Sequence, residues 1–125
     1  MCRILVIEDD RIQQRLMSDV LSEEGHAVVV VGSLAAGLAE LEQQIDLVVT
    51  DLHMQGGLLA LEELVGASSA AVLVVSGHPD REAICAEAGV PSLGKPYDID
   101  EVLRTVDALC PSPPFGSLQP VDMAS

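Results

Sequence analysis

Lysine is the scarcest charge in this sequence: of 125 residues only Lys95 carries an ammonium group, and five arginines complete the basic set. Six basic against twenty acidic side chains leave a formal charge of −14. A field of that sign repels phosphate backbones and anionic membrane surfaces, so neither nucleic acid nor membrane is expected as a partner. Cysteine is also sparse. Cys2, Cys85 and Cys110 are an odd count with no C-x-x-C pair and no metal-knuckle spacing. Cys85 reads as a packing residue and Cys110 as an idle exposed thiol, and a reducing cytoplasm suits such usage. Long apolar runs are missing as well: the stretch after Met1-Cys2-Arg3 is four residues, too short for a signal-peptide core or a membrane span. What the chain does have is a hydrophobic content of 49%, which argues against disorder and puts the acidity on a folded globule of one domain.

The apolar residues come in short, evenly spaced runs: Ile4 to Ile7, Ala27 to Val31, Ile45 to Val49, Ala71 to Val75, and a weaker one at Val90 to Leu93. Near-continuous runs of this length predict strands buried on both faces, as in a parallel sheet. Helical spacing fills the gaps. Ile12, Leu16, Met17, Val20 and Leu21 keep a period near 3.6, as do Leu34, Leu38 and Leu41, then Leu58, Leu61, Leu64 and Val65, and finally Ile99, Val102, Leu103, Val106 and Leu109. Ser33 is the expected cap of the second helix, and Gly25 and Gly66 the expected stops of the first and third. Five alternating strand–helix pairs predict an α/β fold: a flavodoxin-like three-layer sandwich, its five-stranded parallel sheet in the order 2-1-3-4-5 with helices on both faces. Residues 1–110 form the expected domain. Residues 111–125, crowded with Pro and Ser, read as a mobile tail.

In an open parallel sheet ligands bind beyond the carboxyl ends of the strands, so the residues that follow each run carry the functional signal. They are Glu8-Asp9-Asp10, Thr50-Asp51, Ser76-Gly77-His78 and Gly94-Lys95-Pro96. Two carboxylates about 4 Å apart repel by about 4 kcal/mol at an effective dielectric of 20, and a hard divalent cation relieves that repulsion. Mg²⁺ takes oxygen ligands and keeps positions open for phosphate oxygens, which makes an Asp carboxylate beside it a competent phosphoryl acceptor. Ser76 and Lys95 supply the hydroxyl and the ammonium. Each piece has a plainer reading, Asp9 or Asp10 as a helix cap, Asp51 as a turn residue, Ser76-Gly77 as a turn, Lys95 as a solvated charge; the conjunction on four strand ends favours the site.

The segments ILVIEDD (4–10), LVVTDLHM (47–54), VLVVSG (72–77) and GKPY (94–97), in this order, resemble the receiver domain of bacterial two-component response regulators. The resemblance implies Mg²⁺ as cofactor, held by Glu8, Asp9, Asp51 and the backbone carbonyl of His53. It implies Asp51 as the phosphorylated residue, Ser76 as the switch hydroxyl, Lys95 as the partner of the phosphoryl group and a cis bond before Pro96. It further implies a sensor histidine kinase or a histidine phosphotransfer protein as donor, and a downstream protein reached by contact. With no output domain after residue 110, a stand-alone regulator is expected, the receiver piece of a longer polypeptide being the alternative.

The sequence departs from the family in places. Ser92 stands where the family has an aromatic, the loop after Asp51 reads Met54-Gln55-Gly56, and the spans from Asp51 to Ser76 and from Ser76 to Lys95 are short. A clipped third helix and a short fourth one, around residues 81–88, are expected. These departures keep a pseudo-receiver, folded alike but never phosphorylated, as an alternative. A small Mg²⁺-dependent aspartyl phosphatase is weaker, because His53 holds the place two residues after Asp51 where a second acid is wanted. A dinucleotide site is weaker still, for want of G-x-G-x-x-G. His53 and His78 read as loop residues, and Tyr97 as a half-buried anchor of the last helix.

Overall fold

The computed structural model describes residues 2–52, 57–67 and 69–110. Strands β1 (Arg3–Ile7), β2 (Ala27–Val31), β3 (Leu47–Thr50), β4 (Ala71–Ser76) and β5 (Ser92–Gly94) alternate with helices α1 (Arg11–Glu23), α2 (Leu34–Glu40), α3 (Gly57–Ala67), α4 (Arg81–Ala88) and α5 (Ile99–Leu109). All four strand pairings are parallel, in the order β2-β1-β3-β4-β5. The flavodoxin-like sandwich expected from the pattern is the fold observed.

Alternation along each strand divides the core in two. Ile4 and Val6 of β1, Leu47 and Val49 of β3, and Leu73 and Val75 of β4 face α1 and α5, where Met17, Leu21, Val102 and Val106 meet them. Leu5 and Ile7, Val48, and Val72 and Val74 face the other way, onto Leu61 and Leu64 of α3 and Cys85 of α4. The central strands β1, β3 and β4 are covered on both sides, which is why their sequences run apolar without interruption. The edge strand β2 is only partly buried beyond Ala27. Gly37 of α2 crosses β1 so closely that a Cβ there would run into Ile7, which fixes how near the helix lies.

Local chemistry sets the helix ends. Asp10 caps α1 by accepting from the amides of Ile12 and Gln13, Ser33 caps α2 through Ala36, and Asp98 caps α5 through Asp100. Gly25, at φ +92°, takes the chain out of α1 as expected. Differences from the sequence reading are small. β5 begins two residues later than the run at Val90 predicts, because Gly89 ends α4 in the left-handed conformation and Val90 still bonds back to Cys85. α3 continues past Gly66 to Ala67. Ile12 and Leu16, placed on the apolar face by period, lie 77% and 37% exposed at the margin of α1. The predicted tail, residues 111–125, lies outside the described residues.

Leu73 of β4 is fully buried beneath the layer of α1 and α5. Leu73→Ala is expected to cost about 3 kcal/mol, from lost transfer energy plus an unfilled cavity. Urea unfolding would show this as a lower midpoint at an unchanged slope.

Candidate functional site

Four strand ends and the loops after them deliver the polar residues singled out above to one edge of the sheet. Glu8 leaves β1 with its amide bonded to Val31 of β2 and its Oε2 accepting from the amide of Asp10 at 3.1 Å. Asp51 follows β3 directly, and its side chain is even more buried than that of Glu8. Lys95 follows β5, its amide bonded to the carbonyl of Ser76 at 3.1 Å, and the Lys95–Pro96 peptide is cis. The Lys95 ammonium donates to Asp51 Oδ2 at 2.6 Å and to Glu8 Oε1 at 3.0 Å. Carboxylates 87 and 44 positions before it in sequence thus share one lysine. Burial pulls the lysine pKa down, but the hydrogen bonds to Asp51 and then Glu8 outweigh it and hold the ammonium above its ordinary range.

Ser76, the last residue of β4, is fully buried, and its hydroxyl accepts from the amide of His78 at 3.1 Å. Asp9 is exposed beside Glu8. His53 lies outside the described residues, so its carbonyl is not placed. Direct contacts therefore unite Glu8, Asp51 and Lys95; Ser76 joins through the backbone of Lys95, and Asp9 is adjacent in the chain. Among the described residues, the one group of three metal-capable side chains gathered within 4.8 Å is Cys2, His26 and Cys110, so Glu8, Asp9 and Asp51 are not drawn together that tightly.

The donor set still suits a hard cation. One ammonium serves two buried carboxylates, so a negative charge is left in a place nearly closed to water, and Asp9, next in the chain after Glu8, is exposed. All the oxygens are carboxylate, the preference of Mg²⁺ rather than of a soft metal.

Two features escaped the sequence reading. Arg81, the first residue of α4, lies over β5 beside Ser92: its Nε donates to Ser92 Oγ at 3.2 Å and its Nη1 to the Ser76 carbonyl at 3.4 Å. Gly94 leaves the guanidinium its space, since a Cβ there would collide with it. The position where the family carries an aromatic is thus backed by a cation reaching across from α4, and a small residue at 92 beside Gly94 was the available hint. The second is a correction. Cys110 is not an idle thiol: it forms a disulfide with Cys2, leaving Cys85 free and buried. The pairing is set by α5 returning beside the start of β1, which no local spacing announces. Burial raises the Cys85 thiol pKa above its usual value despite Ser92 and Arg81 nearby, consistent with a packing role. Tyr97 is half-buried against the α1 and α5 layer and donates to Gln13 Oε1 at 3.4 Å, as its reading as an anchor requires.

Comparison with known proteins agrees with this geometry. Residues 4–107 match the model of the response regulator receiver domain. The transcriptional regulatory protein GlrR of Escherichia coli is 31% identical over 111 residues, which cover 83% of this chain and 25% of that protein. The chain spans between 25% and 35% of the length of such curated relatives. A receiver domain from Clostridium thermocellum superposes with a TM-score of 0.78 at 25% identity, covering 87% of this chain and 94% of that one. The receiver domain of a Pseudomonas aeruginosa sensor histidine kinase, solved with magnesium in its active-site cleft, shares the fold at a TM-score of 0.75 and 23% identity, over 86% of this chain and 96% of that one. Among the described residues no helix is long and apolar enough to cross a membrane. With the family model spanning the whole sheet and every strand-end group described above, the chain belongs to the response regulator receiver domain family.

Proposed function

We propose that this domain accepts a phosphoryl group on Asp51 from a phosphohistidine, borne by a sensor histidine kinase or a histidine phosphotransfer protein, and then signals through contact with a downstream protein in the cytoplasm. The observation that carries this reading is the Lys95 ammonium held on Asp51 at 2.6 Å and on Glu8 at 3.0 Å at the mouth of the sheet. Glu8, Asp9 and Asp51 are the residues that would hold Mg²⁺, with the carbonyl of His53. When bound, the ion supplies neutralisation of the phosphoryl oxygens.

The chain's own residues do the rest. An Asp51 oxygen attacks phosphorus in line, an O–P bond forms, the P–N bond to the donor imidazole breaks, and the imidazole leaves with its electron pair. Lys95 stays paired with the growing negative charge. The Ser76 hydroxyl turns from the His78 amide toward the phosphoryl oxygens, and Arg81, bonded to the Ser76 carbonyl and to Ser92, follows that movement into α4. This is a small shift at one strand end read out on a helix surface. Hydrolysis of the acyl phosphate resets the domain. The same scheme serves a separate regulator and the receiver piece of a longer polypeptide.

The test is incubation with acetyl phosphate or phosphoramidate, with Mg²⁺ or with chelator, followed by intact-mass measurement. One phosphate adduct per chain is expected with Mg²⁺, none with chelator, and reductive trapping places it on Asp51. No adduct from any donor would sink the reading in favour of a pseudo-receiver. Continuous phosphate release from unrelated monoesters would point to a phosphatase.

A further inference from the structure

The disulfide lies at the opposite end of β1 from Glu8, in a part of the molecule that the phosphoryl chemistry does not use. Cys2 and Cys110 are 108 residues apart in sequence with Cα atoms 6.0 Å apart. Cys2 is 1% exposed, whereas Cys110, at the end of α5, is only half-buried and is the less enclosed partner of the bond. His26 completes the group. It sits at the turn into β2, accepts the Cys2 amide on Nδ1 at 3.0 Å and turns Nε2 toward Asp107 Oδ1 at 3.8 Å.

We propose that Cys2 and Cys110 are a reversible thiol–disulfide site that fastens the end of α5 to the foot of β1 when oxidised and releases it when reduced. This rests on the cytoplasmic setting proposed above, where a protein disulfide is typically a redox-responsive one, and the half-buried Cys110 is the partner at which exchange begins. The reductant is a small-molecule dithiol or a dithiol protein. Its thiolate attacks Cys110 Sγ, the S–S electron pair leaves on Cys2 Sγ, and that sulfur takes a proton from water. The reductant's second thiolate then attacks its own sulfur in the mixed disulfide and frees Cys110, which is protonated in turn. One protein disulfide becomes two thiols while one dithiol becomes a disulfide, a balanced two-electron, two-proton exchange.

The same three side chains could be read as ligands of Zn²⁺, but the imidazole argues against it. A ring that accepts on Nδ1 carries its proton, when neutral, on Nε2, so neither nitrogen offers a lone pair to a metal. Cys85, buried in the other half of the core, stays outside the exchange and serves as an internal reference for counting thiols.

The full chain, prepared without reductant, denatured and treated with a maleimide, should take one label, on Cys85; after dithiothreitol it should take three. The closed loop is long, so native protein should melt roughly 10 °C lower after reduction and recover with oxidised glutathione. Cys110→Ser, at the outer end of α5, should fold and melt at the reduced value whatever the redox state. Three labels before reduction and again after oxidised glutathione would overturn the proposal. So would a melting point indifferent to a proven change of redox state. Stoichiometric Zn²⁺ binding by the reduced protein, lost in His26→Ala, would replace it with a metal site.

Discussion

In the Asp51→Asn variant the phosphate adduct is expected to vanish, while the folded protein becomes no less stable and gains up to about 1 kcal/mol. The loss follows because an amide nitrogen or oxygen there cannot form the acyl phosphate. The stability follows from charge. In the wild type one ammonium lies between two buried carboxylates, so the trio carries a net negative charge. Removing the charge of Asp51 leaves Lys95 and Glu8 as a matched pair, abolishes a carboxylate–carboxylate repulsion of about 3 kcal/mol for charges roughly 5 Å apart at an effective dielectric of 20, and removes the several kcal/mol it costs to bury that charge; together these offset the lost attraction to Lys95. Thermal unfolding with and without Mg²⁺ checks both parts: the ion should stabilise wild type clearly and the variant little. A variant that still took up phosphate would place the acceptor elsewhere.

Lys95→Met is expected to push the same balance the other way. Two carboxylates lose the cation they share, and the cost in Mg²⁺-free buffer should be about 2–4 kcal/mol, towards the lower part of the range for breaking a buried pair because the lysine side chain is 21% exposed. Mg²⁺ should recover part of the loss by supplying positive charge. Adduct formation should slow by about two orders of magnitude or more, the scale of losing one preorganised charge on a transferring group. Rapid-quench labelling measures the rate and urea unfolding the stability. Equal stability with and without the lysine would mean that its contacts to Glu8 and Asp51 contribute nothing net.

How much of this was legible beforehand depended on whether the cause was local. β1, β3 and β4 announce themselves because burial on both faces fills all but their end positions with apolar residues, and right-handed connections narrow the strand orders open to them. The short α4 was readable from the small number of residues between Ser76 and Lys95, and Asp10, Ser33 and Gly25 act at the helix ends their chemistry favours. Glu8, Asp51 and Lys95 converge because each follows a strand at the same edge of the sheet. Arg81 was missed because its role depends on what is absent at Ser92 and Gly94, a vacancy only the third dimension shows. The pairing of Cys2 with Cys110 was missed because it joins the two ends of the described chain, and only the return of α5 along the sheet brings them together. The start of β5 slid because Gly89 and Pro91 shape that turn more strongly than the apolar residue between them.

That meeting of the two ends has a geometric consequence of its own. Cys2 opens onto β1 at the pole away from Asp51, and Cys110 closes α5 within 6.0 Å of it, so whatever is joined before residue 2 or after residue 110 departs from nearly the same point. The described fold is therefore entered and left at the end of the sheet away from the carboxylates. The order of the chain could even be rewritten: a short bridge from 110 to 2, with new termini cut at the exposed turn of Glu24 and Gly25, would keep all four parallel pairings and leave Glu8, Asp51 and Lys95 where they are.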